Sequence, residues 1–159
     1  MIRSYRDADY DDVSRLLSQC GLMAPTRSEL MSNHSLVWDV DHRVIGFVWV
    51  IRSPESATAY IDLLCVDPDY RFKEGKSGRS IVALLLMKHL LATLASLGVT
   101  RIVGVVDRES VPGHALLSIY ARLGMMVCDQ YSYCYGQANE IYSRVSALFD
   151  AKKAEGQVC

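Results

Sequence analysis

Hydrophobic and polar positions change period several times along the chain, and each change marks an element. Ile2 to Arg6 reads as a short first strand. Asp7, Asp9 or Asp11 then offers an N-cap with acid in the first turn, and Val13, Leu16 and Leu17 recur at helical spacing. Gly21 stops that helix. Thr26, with Glu29 three residues on, has the spacing of a capping box and opens a second, short helix ending near Asn33. Ser35 to Val40 alternates, breaks at Asp41-His42, and is followed by Arg43 to Arg52 (RVIGFVWVIR), a β-branched and aromatic run. The pair predicts a hairpin. After a turn containing Pro54, Thr58 to Val66 is another strand.

The second half begins with a long apolar helix from Arg79 to Leu97, closed by Gly98. Thr100 to Asp107 (TRIVGVVD) is continuously apolar through its middle, as in a strand buried on both faces. Pro112 opens a helix carrying Leu116, Ile119, Tyr120 and Leu123 and ending at Gly124. Met125 to Tyr135 is a final strand region, disturbed at Asp129-Gln130, with Tyr131, Tyr133 and Tyr135 on one face. Asn139 caps a last helix with Ile141, Val145, Leu148 and Phe149 on one side. The order β-α-α-β-β-β-α-β-α-β-α predicts an α/β or α+β domain with a mixed sheet. The strands joined through the 79–97 helix are expected to be parallel. We divide the chain into a domain over residues 1–137 and a helix and tail over 138–159. The last helix is left open between covering a sheet edge and pairing with a second copy in a homodimer.

Composition narrows the classes. At 159 residues, half of them apolar and 22% charged, the chain is long enough for one core and too apolar for disorder. A net charge of −1 gives no global field for nucleic acid, and no basic tail suggests a membrane surface. The polar N-terminus lacks an apolar leader, and Lys88 and His89 interrupt the one stretch long enough to span a bilayer. A cytoplasmic location is the expectation. The cysteines, at positions 20, 65, 128, 134 and 159, show no metal-ligand spacing, so no metal is expected and buried free thiols are.

The residues with chemistry cluster between Val66 and Arg79. A strand ends in Val-Asp-Pro, and the loop Gly75-Lys76-Ser77-Gly78 follows, flanked by Arg71, Lys73 and Arg79. Glycines turn backbone N–H groups inward, a helix N-terminus adds partial positive charge, and the cations suit a phosphate. The alternative is a solvated basic turn. A Walker A loop would need glycine where Tyr70 stands.

This arrangement resembles the acetyl-CoA signature of the GNAT superfamily of N-acetyltransferases. The matching segments are Val66-Asp-Pro68-Asp-Tyr70-Arg71 with its glycine loop and helix, and Ser118-Ile-Tyr120-Ala-Arg122-Leu-Gly124-Met125, which is similar to the family's LYxKxGF segment. The loop is two residues longer than the family's, Lys76 stands where the family has a glycine, and Gly113 where it often has asparagine.

The resemblance implies a mixed, mostly antiparallel sheet of roughly six to seven strands flanked by helices, with the last helix as an addition. It implies acetyl-CoA as acyl donor and a small-molecule or peptide amine as acceptor, by direct attack in a ternary complex. The backbone of Leu64, Cys65 and Val66 would hold the pantetheine. Arg71, Lys73, Gly75, Lys76, Ser77, Gly78 and Arg79 would hold the phosphates. Tyr120 matches the family's general acid, against the alternative of a core tyrosine. Asp62, four residues before Val66, stands where some members carry a base, and Tyr60 is expected on its side of the strand. An unperturbed aspartate pKa of about 3.9 makes a poor base unless burial raises it. Residues around Met23 to His34 and the three late tyrosines would line the acceptor site. A catalytically degenerate domain of the same fold, binding CoA or a protein, is the alternative.

Overall fold

The computed structural model describes residues 1–32, 34–71, 82–105, 117, 120–127 and 133–154. Its centre is a seven-stranded sheet: β1 (Ile2–Ser4), β2 (His34–Val40), β3 (Arg43–Ile51), β4 (Thr58–Val66), β5 (Arg101–Val105), β6 (Met126–Val127) and β7 (Tyr133–Gln137). The spatial order is β1-β2-β3-β4-β5-β7-β6. Every neighbouring pair is antiparallel except β4 and β5, which are parallel. That exception is the pair joined through the long helix.

Local sequence explains the joints. Asp41 and His42 form the two-residue hairpin at positive φ (49° and 63°), a conformation whose twist matches the flanking strands. The capping box at α2 (Arg27–Ser32) is made: the Thr26 N–H donates to Glu29 Oε2 at 2.7 Å, and the Glu29 N–H donates to Thr26 Oγ1 at 3.4 Å. α1 (Tyr10–Gln19) and α3 (Val82–Ser96) are followed by Gly21 and Gly98 at φ near 75°. Residues 79–81, expected to begin α3, lie outside the described residues.

The sheet is covered on both faces. α1 and α2 pack Val13, Leu16, Leu17 and Leu30 against Val37, Phe47, Trp49 and Cys65. On the other face α3 sets Leu86, Leu90, Leu91 and Leu94 against Val48, Val50, Ile61 and Ile102. Each such leucine withdrawn from water contributes about 1.5–3 kcal/mol. β3, roofed on both sides, is buried from Val44 through Val50, which is why its sequence is apolar throughout. Gly46 sets the height of α3 above it: a Cβ there would stand 2.7 Å from Val82 Cγ1 and 2.9 Å from Leu86 Cδ1.

The final helix, α4 (Ala138–Ala154), begins two residues earlier than a cap at Asn139 predicts, and Asn139 Oδ1 accepts from the Glu140 N–H at 2.9 Å. It lies against α3 and adds Ile141 and Val145 to the core, so it covers a sheet face rather than an edge. Lys88 of α3 lies 4.9 Å from the Phe149 ring centroid of α4. The region expected as one strand from Met125 to Tyr135 is two antiparallel strands, β6 and β7. Positions 128–132 between them, Tyr131 included, lie outside the described residues. No described helix is long and apolar enough to cross a membrane. Among the described residues, no cluster of three or more His, Cys, Asp or Glu side chains forms a candidate metal site.

Two cysteines depart from the expectation of free thiols. Cys20, at the end of α1, and Cys65, on β4, are joined as a disulfide with Cα atoms 7.1 Å apart. Their sequence separation of 45 carries no local signal, and the pairing follows from α1 packing on the middle of the sheet. Cys134 is buried in the core, and Cys128 and Cys159 lie outside the described residues.

Candidate active site

β4 loses a neighbour part-way along its length. Its parallel ladder with β5 runs from Thr58 opposite Arg101 to Ile61 opposite Gly104, and among the described residues it ends there. Its antiparallel ladder with β3 continues to Val66 but skips a residue: Val50 faces Ile61, Trp49 faces Leu63, and Asp62 is left over as a β-bulge. The bulge resets the alternation. Ala59 and Ile61 point into the α3 side before it, and Leu64 and Val66 after it. Tyr60 and Asp62, expected on one side by simple alternation, therefore no longer share a regular register; Tyr60 is 47% exposed.

Beyond the bulge, among the described residues, no strand pairs with the other edge of β4. The Asp67 N–H donates to Ile45 O of β3 at 2.8 Å. The Val66 carbonyl belongs to the same trans peptide, so it points the opposite way, toward the unpaired side. Alternation turns the N–H and C=O of Leu64 and Val66 to that side, and those of Cys65 back to β3, where Cys65 stands opposite Phe47. Of the three residues expected to hold pantetheine, Leu64 and Val66 thus present the open edge. Such an edge fits a ligand arm carrying amide groups, which it can pair as a further strand would.

Asp62 is partly buried, and desolvation pushes its carboxyl pKa above the ordinary aspartate value. That is the shift a general base needs, since an unperturbed aspartate holds protons too weakly. Tyr120 borders the same junction. It lies in the helical turn at residues 120–122, and a Cβ on Gly104 would stand 3.0 Å from its Cε2, so its ring lies directly on β5 beside Ile61. A side chain there would have to push the ring aside by a few tenths of an ångström. Tyr120 is 2% exposed, and burial, followed by the proximity of Cys134, drives its pKa upward, so the phenol stays a protonated donor. Tyr120 packs over Gly104, which stands opposite Ile61, the β4 residue before Asp62, and it is part of the core on the α3 side.

Arg71 turns back onto the end of β4. Its Nε donates to the Val66 carbonyl at 2.6 Å, and Nη2 lies 2.6 Å from Cys20 Sγ. Asp67, buried at the end of β4, caps the turn Pro68–Tyr70 by accepting from the Asp69 N–H, and it also takes the Arg43 guanidinium at 2.7 Å. Lys73, Gly75, Lys76, Ser77, Gly78 and Arg79 lie outside the described residues, as do Gly113 and His114.

On the expected acceptor side, the loop after α1 exposes Leu22 and Met23, and α2 exposes Met31. A cavity of about 150 Å³ opens beside them, lined by Tyr5, Leu30, Met31, His34, Ser35 and Thr93. The Tyr5 and Ser35 hydroxyls are buried there without a hydrogen-bond partner. His34 faces Val50 and Val50 faces Ile61, so β3 separates this cavity from the bulge. The bulge and the disulfide are the site features that sequence reasoning missed. The bulge left a trace in TAYIDLLCV, where the apolar alternation slips at Asp62.

The fold is shared with solved acetyltransferases. The PaiA N-acetyltransferase of Thermoplasma acidophilum, solved with coenzyme A, superposes with a TM-score of 0.69 at 15% identity, over 86% of this chain and 98% of that one. The diaminobutyrate acetyltransferase EctA of Paenibacillus lautus, solved with its substrate and coenzyme A, gives 0.63 at 16% identity, over 85% and 91%. The ribosomal-protein-S18-alanine N-acetyltransferase of Escherichia coli gives 0.67 at 15%, over 87% and 93%. At such identities the likeness is one of fold. No curated protein sequence matches the chain. The profile of the acetyltransferase (GNAT) family matches residues 3–125, from β1 to the junction beside Tyr120, and on that match the chain belongs to the GNAT acetyltransferase family.

Proposed function

We propose that this protein transfers the acetyl group of acetyl-CoA to a primary amine by direct attack within a ternary complex. The observation that carries the reading is the half-open β4: paired with β5 up to Ile61, bulged at Asp62, and, among the described residues, without a second strand along the edge of Leu64 and Val66. Acetyl-CoA supplies an activated acyl thioester. The open backbone groups of Leu64 and Val66 hold its pantetheine arm, for which Arg71 must release the Val66 carbonyl. Arg71 and the loop residues Lys73, Gly75, Lys76, Ser77, Gly78 and Arg79 are assigned to its phosphates by the family pattern.

Asp62, with its raised pKa, takes a proton from the ammonium form of the acceptor directly or through one water. An open-edge N–H then stands ready to stabilise an oxyanion, which needs no metal. Tyr120, protonated at all ordinary pH values, is the donor assigned to the departing thiolate. The acceptor is a small molecule or peptide bearing a primary amine, approached from the side of the exposed Leu22 and Met23.

One observation favours a second reading, a domain that binds CoA without catalysis: the near-complete burial of Tyr120. Titration calorimetry with acetyl-CoA, followed by thiol release across a panel of amines, separates them. Saturable binding with amine-dependent thiol release supports transfer. Binding without release on any amine supports the second reading. No heat at millimolar acetyl-CoA contradicts both.

A further inference from the structure

Neither the family match nor the transfer chemistry uses the sulfur pair beside the open edge. Cys20 closes α1 and is partly exposed, whereas Cys65 is 2% exposed. One guanidinium serves both sulfurs: Arg71 Nη2 lies 2.6 Å from Cys20 Sγ and 4.0 Å from Cys65 Sγ, while its Nε is anchored on the Val66 carbonyl. A fixed cation in contact with a sulfur favours thiolate over thiol. The α1 C-terminus opposes this through its dipole, but a full charge at contact distance outweighs a partial one. The reduced pair therefore has an accessible, activated thiol in Cys20 and a sheltered second thiol in Cys65 already within bonding reach.

We propose that Cys20 is a thiol-modification site that reacts with low-molecular-weight disulfides, with Cys65 as the resolving thiol and Arg71 as the activating group. In the first step the Cys20 thiolate attacks one sulfur of the small disulfide. A Cys20–S bond forms, the small S–S bond breaks, and one small thiolate leaves. In the second step the Cys65 sulfur, its proton passing to the released thiolate, attacks Cys20 Sγ, forms the Cys20–Cys65 bond and expels the second small thiolate. The protein loses two electrons and the two thiol protons, and the small disulfide becomes two thiols. The closed bond is the state in the structure. It ties the end of α1 to β4 between Leu64 and Val66, and it fixes the sulfur on which Arg71 rests.

The switch has a consequence that rests on the proposed acetyl-CoA site. With Cys20 bonded to Cys65, Arg71 is held on the Val66 carbonyl and the open edge is less available, so the oxidised protein should bind acetyl-CoA more weakly than the reduced one.

The test uses the full chain, reduced and freed of reductant, then exposed to oxidised glutathione at neutral pH. Non-reducing peptide mapping follows each cysteine in time. Cys20 should react about tenfold faster than an unperturbed cysteine and end linked to Cys65 with no retained glutathione. In Cys65→Ser, or Cys65→Ala if serine disturbs folding, glutathione should remain on Cys20. Arg71→Met should slow the reaction about tenfold at neutral pH and move its pH profile upward. Reaction of Cys20 at the ordinary rate, a retained adduct in the wild type, or an unchanged rate in Arg71→Met overturns the proposal. These readouts need no CoA, so their failure is distinct from failure of the acetyltransferase reading. The calorimetric comparison of oxidised and reduced protein is the separate arm that tests the link between them.

Discussion

β4 is one strand in two environments. At Tyr60 and Ile61 it is paired with β3 on one side and β5 on the other. From Leu63 to Val66 it keeps β3 and, among the described residues, pairs with no strand on the other side. The same backbone therefore builds scaffold in its first half and, in its second, turns the groups of Leu64 and Val66 to a side where no described strand pairs with them, the Val66 carbonyl being taken by Arg71. The single extra residue at Asp62 divides the two. It places a partly buried carboxyl at the point where the strands part, while the stretch behind it stays locked in the core. The comparison shows how one strand of a sheet comes to present an edge: one ladder ends at Ile61 and the other bulges at the next residue, Asp62.

The largest expected effect comes from the dividing residue itself. Asp62→Asn should lower kcat/KM by about 100-fold in steady-state kinetics, the usual scale for loss of a general base. In the wild type, kcat/KM should rise with pH through the raised Asp62 pKa, and that limb should vanish in the variant. The stability effect has its own sign. A carboxyl whose folded pKa is raised stabilises the fold below its unfolded pKa, and this contribution is lost as pH rises through the folded value. Asp62→Asn should therefore unfold at an unchanged or higher temperature at neutral pH, separating a catalytic loss from a folding one.

Tyr120 sharpens the comparison from the β5 side. Tyr120→Phe should lower kcat about tenfold with little change in acetyl-CoA affinity by calorimetry. An unchanged kcat would leave Tyr120 as a core residue only. Gly104→Ala presses a methyl to 3.0 Å of the Tyr120 ring and should cost about 1–3 kcal/mol in denaturant unfolding, with kcat reduced because the ring is displaced.

The smallest effect is expected at the far edge of the sheet. Arg3 holds Asp9 with two bonds of 2.7 and 2.8 Å and reaches Asp39 at 2.8 Å. The Arg3 hydrogen bonds hold the Asp9 carboxyl below its usual pKa. Its stabilisation is thus present above the unfolded aspartate pKa and lost as pH falls through the folded one. Arg3→Met should cost about 1 kcal/mol at neutral pH and flatten the acid limb of the unfolding curve, with kcat/KM unchanged.

Much of the scaffold was legible because its signals are local. The Asp41-His42 turn, the Thr26-Glu29 box, Gly21 and Gly98, and the buried run of β3 each follow from a few adjacent residues. The parallel pairing of β4 with β5 followed from the length of the crossover. The break in the last strand region was visible as a disturbance, although one strand was expected where two pair. The seat of α4 on α3 was not legible, because an apolar stripe at Ile141 and Val145 says that a face is covered and not what covers it.

The site was less legible than the scaffold. Asp62 and Tyr120 were picked out through the family pattern, and the seat of Tyr120 on Gly104 depends on a long-range contact. Which backbone groups of Leu64, Cys65 and Val66 face outward depends on the bulge, which moves the register by one. Arg71 resembles a phosphate ligand in sequence, yet in the fold it turns onto Val66 and Cys20. Its partner Cys20 lies 51 residues away, beyond any local pattern.

Backbone amide hydrogen exchange with and without acetyl-CoA tests the central claim most directly. If the open half of β4 holds the pantetheine arm, saturating acetyl-CoA should slow exchange at the Leu64 and Val66 amides. Cys65, already turned to β3, and the doubly paired Tyr60 and Ile61 should change little. Saturable binding without protection at Leu64 and Val66, or no binding at all, would contradict it.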